Sequence, residues 1–398
     1  MKKLLTISLL CLFWFQVLEA AKPYREGDLN PLVAGSTGYL SYCFPEMKDG
    51  SLVVLLDNGL AVERLKISLV NGEAGIELPF EFSTKAGLLK LRFFNNGQSM
   101  YRDELEILPD KQKTKKIESF CGPKHLVVGR NDFSMIVSTV LDIYDNPLPE
   151  GTPIGVNFQQ GGQVTSHSFR SETLYGYKKY YAGEKSGYGA ITTFYDTLGS
   201  ESFRLDIYAT DPEDFEITYE RQHAYADGEQ LVVFSTSIIK DGFGNVISDG
   251  TVVQFVLEQP DGPSTIFNGV TIAGIARGLR YAPQAQASWK VRALIPNYAI
   301  STNQLAISFR QSVKDFDLSL QRETNRLNVG PVTGFMGQWV KDGTDVTVRI
   351  TNAGTSKVYE AVTTDGRLSF PIDFEALGKR KPDITVTIAG ITKTIKTN

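Results

Sequence analysis

Apolar residues spaced by two recur along this chain. Ile154, Val156 and Phe158 form one set, Val253, Phe255 and Leu257 a second, and Val346, Val348 and Ile350 a third. Period two turns one side of a segment inward and the other toward water, which predicts half-buried strands. Helical periodicity is nearly absent, so the pattern predicts an all-β protein.

A turn signal precedes each set. Residues 142–152 align without a gap on residues 241–251: Asp142 with Asp241, Tyr144 with Phe243, Asn146 with Asn245, Leu148 with Ile247, Glu150 with Asp249, and Gly151-Thr152 with Gly250-Thr251. A weaker copy runs from Gly337 to Thr344 and keeps Gly343-Thr344. In each copy the apolar positions fall three, five and seven residues past the glycine. Asp and Asn accept local backbone bonds and Gly accepts positive φ, so the motif reads as strand, tight turn, strand. Asp142 and Asp241 recur at one offset, which suits turn capping better than metal binding.

A second landmark follows each copy, a glycine-led strand leading into another alternating strand: Gly189 into Phe203–Tyr208, Gly278 into Trp289–Ala293, and Gly366 into Ile384–Ile388. Gly75 into Leu89–Phe93, with Leu65, Ile67 and Leu69 alternating before it, marks a divergent opening repeat. The Gly-Thr pairs lie 99 and 93 residues apart. Units of that length, built of short strands, predict tandem immunoglobulin-like Greek-key sandwiches. The expected divisions are 1–20, 21–120, 121–220, 221–325 and 326–398, with polar connectors at Lys111–Glu118, Asp211–Asp214 and Ser312–Asn328.

The Asp…Asn…Gly-Thr turn, its alternating strand and the glycine-led strand pair resemble the bacterial Ig-like group 1 domains of intimin- and invasin-type proteins. The resemblance spans roughly 127–220 and 221–315 well, 326–398 fairly and 36–110 weakly. It does not extend to the outer-membrane barrel or the lectin-like tip of those adhesins. It implies stalk, spacer or binding domains.

The chain has 398 residues, 42% hydrophobic and 22% charged, which excludes wholesale disorder. Lys2 and Lys3, an apolar run from Leu4 to Val17 and a small residue at Ala20 predict a secretory leader that is cleaved. The run is short for a transmembrane anchor, and no second apolar stretch reaches spanning length. Export is expected, to the periplasm, the outer surface or the medium. Losing Lys2, Lys3 and Glu19 takes the formal net charge from −4 to −5, which disfavours nucleic acid as a partner.

Candidate chemistry is sparse. In an oxidising compartment Cys43 and Cys121 are candidates to pair, worth about 3–5 kcal/mol on a chain-entropy model; the alternative is two unpaired thiols. His125, His167 and His223 lie in different segments, so zinc is not expected. No nucleophile-elbow, zinc-protease or phosphate-loop motif occurs, and the chain is expected not to be an enzyme. Asp211, Glu213 and Asp214 offer oxygens to calcium, but without the alternating spacing of a calcium loop. They read as a solvated hinge, and no cofactor is expected. The densest aromatic and basic cluster is Tyr175 to Tyr181. Alternation places Tyr175, Tyr177 and Lys179 on one face, and with Tyr181 they form a candidate contact patch for a protein or glycan. The plainer reading is a strand with one packed face and lysines snorkelling to water. Trp289 and Trp339 are expected in or near the core. The expected function is a binding and spacer protein of the envelope or surface; the alternative is a structural part of an envelope-spanning secretion or conjugation apparatus.

Overall fold

A computed structural model describes residues 21–27, 31–260, 262–352, 354–373 and 382–397. The expected leader lies outside the described residues. The chain is all-β, a series of immunoglobulin-like sandwiches, with one short helix, Phe80–Ser83, among the described residues. It divides into two compact units. The first comprises residues up to 125 with 133–181 and 188–206; the second comprises 126–132, 182–187 and 207–398.

The first unit opens with a sandwich of two antiparallel layers. Gly50–Asp57 pairs with Val62–Leu69 and Gly87–Asn95 in one sheet, and Tyr39–Cys43 pairs with Tyr24–Glu26 and Glu73–Glu77 in the other. Leu52, Val54 and Leu56 alternate inward from the first sheet and meet Tyr42, Phe44 and Phe93. The same unit holds the three-stranded sheet of Thr114–Gly122, Phe133–Asp142 and Gly176–Tyr181. Beside it lies a sheet in which Pro153–Gln160 pairs with Gln163–Arg170 and Gly187–Tyr195. Ile154 and Val156 are buried, as their alternation predicts.

The second unit contains two further sandwiches. Val253, Phe255 and Leu257 project from Val252–Glu258 into a core shared with Phe234, Trp289, Val291 and Phe309. Val346, Val348 and Ile350 do the same from Asp345–Asn352 among Phe316, Leu327 and Val386. The span Ser312–Asn328, expected as a connector, instead carries strand Val313–Gln321, which pairs back on Arg326–Gly334. Its alternation was masked by charge: Phe316 is buried while Lys314, Asp315 and Asp317 face water.

The repeated turn has one construction in all three copies. Gly151, Gly250 and Gly343 adopt φ of +80°, +84° and +80°, a region that L side chains resist. Their amides donate to the carbonyls of Ser171, Thr271 and Thr363 at 2.9, 2.9 and 2.8 Å. The following threonines, Thr152, Thr251 and Thr344, donate their hydroxyls three residues back, to Pro149, Ser248 and Lys341. Those same carbonyls accept the hydroxyls of Ser171, Thr271 and Thr363. Gly-Thr is therefore a geometric requirement of the turn, and its hydroxyl partner sits at or just past the end of the second strand after it.

The Asp–Asn half of the motif occurs twice. Asp142 and Asp241 are buried and cap the turn, each Oδ1 accepting the amides two and four residues on, at 2.8–3.0 Å. Each Oδ2 also accepts a connector amide, from Asp110 and from Thr210, at 3.0 Å. Burial pushes the Asp241 carboxyl up, but hydrogen bonds from the Asn245 side chain and from the amides of Asn245, Thr210 and Phe243 outweigh it and hold the group below the usual carboxylate range.

Asn146 and Asn245 reach further. Asn146 Nδ2 donates to the Thr84 carbonyl at 2.8 Å, and its Oδ1 accepts the Ala86 amide at 3.0 Å. In the second unit Asn245 Nδ2 donates to the Glu184 carbonyl at 2.9 Å, and its Oδ1 accepts the Ser186 amide at 3.0 Å. Each asparagine thus grips a three-residue stretch of a loop about sixty residues earlier by both of its backbone polarities. The aromatic residue of the motif completes the grip. Tyr144 covers Gly35 and Phe243 covers Gly129, so closely that a Cβ at either glycine would collide with the ring.

Candidate functional site

The tyrosine cluster folds as the edge strand Gly176–Tyr181 of the three-stranded sheet. Tyr175, Tyr177, Lys179 and Tyr181 are exposed, while Tyr180 turns inward and packs on Phe158 at 5.1 Å between ring centroids. Burial pushes the Tyr180 hydroxyl up to about 12. One side of the strand is packed and the other is wet, so the plain reading describes the inner face. The outer face carries more than the strand itself predicts.

Registry with the two neighbouring strands builds that face. Val137 stands opposite Tyr177 on one side and Phe120 on the other, which makes an apolar row across all three strands. The next outward positions place Met135 opposite Lys179, then Phe133 opposite Tyr181. Phe133 and Tyr181 rings lie 5.7 Å apart, and the Lys179 ammonium sits 4.3 Å from the Phe133 ring centroid. The cation therefore lies over an aromatic ring, in cation–π geometry. Phe120 is 74% exposed, which leaves most of a phenyl ring in water. Sequence reasoning missed Phe120, Phe133 and Val137, because cross-strand registry between segments tens of residues apart leaves no local signal. The arrangement offers an exposed aromatic surface with the Lys179 cation over it.

The other candidate residues do not converge. Cys43 and Cys121 are both free, so the expected bridge is not formed. Cys43 lies beside the Tyr24 hydroxyl, whereas Cys121 Sγ shares a 3.1 Å hydrogen bond with Ser134 Oγ on the neighbouring strand. Spacing alone could not show that the two thiols have separate surroundings. Burial raises the Cys121 thiol above its ordinary range. His125 stands 3.6 Å from Asp206, His167 lies near the Tyr180 ring, and His223 contacts Asp227 at 3.3 Å. Within the acidic segment Asp211 pairs with Arg130 at 2.6 Å, while Asp214 accepts the Ile300 amide at 2.9 Å. Among the described residues no cluster of three metal-ligating side chains forms, and no helix is long and apolar enough to cross a membrane.

Trp289 is buried, at 3% exposure, as expected. Trp339 is not: it is 55% exposed. It sits in the Gly-Thr turn rather than on the alternating strand that follows, so its apolar character does not place it inside.

No family model matches the chain, and no curated protein matches it. Among solved structures, the chain is similar to FdeC, an Escherichia coli adhesin, at 13% identity and a TM-score of 0.47, over 73% of this chain and 98% of that one. It is also similar to invasin, a bacterial integrin-binding protein, at 14% identity and a TM-score of 0.47, over 94% of this chain and 78% of that one. A tetra-tandem repeat from the extending region of a large adhesion protein matches at 13% identity and a TM-score of 0.30, over 92% of this chain and 96% of that one.

Proposed function

We propose that this chain is a non-enzymatic binding and spacer protein, exported to a bacterial envelope or surface, whose immunoglobulin-like domains hold a contact face for a protein partner. The observation that carries the reading is the outward aromatic face of Phe120, Phe133, Tyr177 and Tyr181. Large aromatic rings lose little conformational freedom on contact and dominate the energetics of protein interfaces. A protein partner accounts for this face better than a sugar, because its outward side chains are aromatic and apolar rather than amides and carboxylates.

The test is binding of the full chain to intact cells and to matrix protein, beside a Phe120→Ser, Tyr177→Ser double variant. The expected outcome is a loss of binding of about tenfold or more. Both side chains already face water, so the melting temperature should move by no more than about 0.5 kcal/mol allows. Equal binding by the variant would remove the face from the account. Stable co-purification with a multi-subunit envelope complex, with none of the chain on the surface or in the medium, would favour the apparatus reading instead.

A further inference from the structure

The third Gly-Thr turn departs from the other two at the positions that form the grip. Gly334 stands where the others carry Asp142 and Asp241, and Gln338 stands where they carry Asn146 and Asn245. The turn itself persists: the Gly334 amide donates to the Gln338 carbonyl at 2.8 Å, as Asp142 does to Asn146 at 3.0 Å and Asp241 to Asn245 at 2.9 Å. The missing side chain at Gly334 leaves room for the Gln338 amide, which lies 3.1 Å from where a Cβ would stand. Among the described residues no earlier loop takes up that amide. It lines a hollow of about 300 Å³ in the second unit instead.

The hollow is bounded by the Asp227–Glu229 loop, Gln284, the 334–345 turn and Ala389. Its base is fixed. The Tyr225 and Phe335 rings stack at 4.0 Å and 11°, and Lys341 Nζ meets Glu229 Oε1 at 2.6 Å. Asp227 is held by His223 and by the amides of Glu229 and Gln230. The charged groups around the rim are thus largely paired. Trp339, Gln338, Gln284 and the Asp345 carboxylate remain available to a ligand. Trp339 supplies an exposed indole, and the Arg367 guanidinium lies over its ring at 5.9 Å.

From this arrangement we infer that the hollow is a binding site for a neutral carbohydrate, one or two pyranose rings in size. A sugar ring has an apolar C–H face that stacks on an indole and a rim of hydroxyls that both donate and accept. Two primary amides and one carboxylate match that rim, because together they offer donors and acceptors. A volume of this size suits a small ligand. The hollow shares no residue with the aromatic face of the first unit.

The test uses the full chain with four sugar probes, methyl β-glucoside, methyl β-galactoside, lactose and N,N′-diacetylchitobiose, and one cationic control, Nα-acetylarginine amide. Each is added to about 10 mM, a range suited to millimolar dissociation constants. Saturation-transfer NMR reads the sugar, and the indole N–H resonance of Trp339, assigned from its loss in Trp339→Phe, reads the protein. The expected result is transfer to ring protons of at least one probe, with a shift of the Trp339 resonance and none of Trp289. Gln338→Ala and Trp339→Ala should each weaken binding about tenfold or more, with the amide spectrum of the fourth sandwich retained. If no probe shifts Trp339, the site is not a carbohydrate site. If only Nα-acetylarginine amide shifts it, the hollow takes a cationic side chain and the inference is overturned. Binding that survives Gln338→Ala and Trp339→Ala unchanged would place the sugar elsewhere.

Discussion

The turns at 142–152 and 334–344 share a backbone and differ in what they hold. In both, a glycine with positive φ, a threonine hydroxyl and a hydroxyl from just past the end of the second following strand close the turn. In the first, Asn146 uses its side chain to grip Thr84 and Ala86, Asp142 caps the turn and accepts the Asp110 amide, and Tyr144 seats on Gly35. In the second, Gly334 and Gln338 grip nothing earlier among the described residues, and Met336, at the position of Tyr144, is exposed. One scaffold therefore serves as a clamp where it carries Asp and Asn, and as the wall of a hollow where it carries Gly and Gln. Three substitutions, Asp to Gly, Tyr to Met and Asn to Gln, separate the roles while the turn's backbone bond persists.

The largest expected effect comes from removing the buried acceptor of a clamp. Asp241→Ala leaves the amides of Thr210, Phe243 and Asn245 without their acceptor. The cost should be about 2–4 kcal/mol, read as a fall in the melting transition that contains the third sandwich. Acid should reproduce part of that loss. The folded Asp241 carboxyl is held below its ordinary range, so its contribution is present above the unfolded value and lost as pH falls through the folded one. Melting of the native chain should therefore drop as pH falls below about 4, and Asp241→Asn should flatten that limb of the curve.

Next in size are the grips themselves. Asn146→Ala and Asn245→Ala each remove one donor and one acceptor to a loop, at about 1–2 kcal/mol apiece. The smallest effect is expected at the third turn. Gln338→Ala should leave stability within about 0.5 kcal/mol of the native chain, because its amide bonds to nothing within the described residues. A Gln338→Ala variant as destabilised as Asn245→Ala would erase the distinction between the turns.

Much of this architecture was legible in the sequence. The alternation at Val253–Leu257 and Val346–Ile350 is local, so it reported the buried faces directly. Gly-Thr was legible because positive φ restricts the residue type at the site itself. The grip was not, since Thr84, Glu184 and their neighbours act through backbone carbonyls and amides, which any residue supplies. For the same reason the repeat of Asp and Asn read only as turn capping, which is half of what they do. The aromatic patch was half legible: alternation exposed Tyr175, Tyr177 and Lys179, but Phe120 and Phe133 arrive through registry. Trp339 was misplaced because hydrophobicity was read without its position in a turn. The cysteine pairing failed because residue spacing carries no information on distance in space.

Hydrogen exchange on the full chain tests the clamp most directly, because Asn146 and Asn245 accept the Ala86 and Ser186 amides themselves. In the native chain both amides should be protected. Asn146→Ala should speed exchange at Ala86 alone, and Asn245→Ala at Ser186 alone, by about tenfold for each bond worth about 1.4 kcal/mol. Gln338→Ala should leave both unchanged. Protection at Ala86 and Ser186 that survives loss of the asparagines would contradict the account.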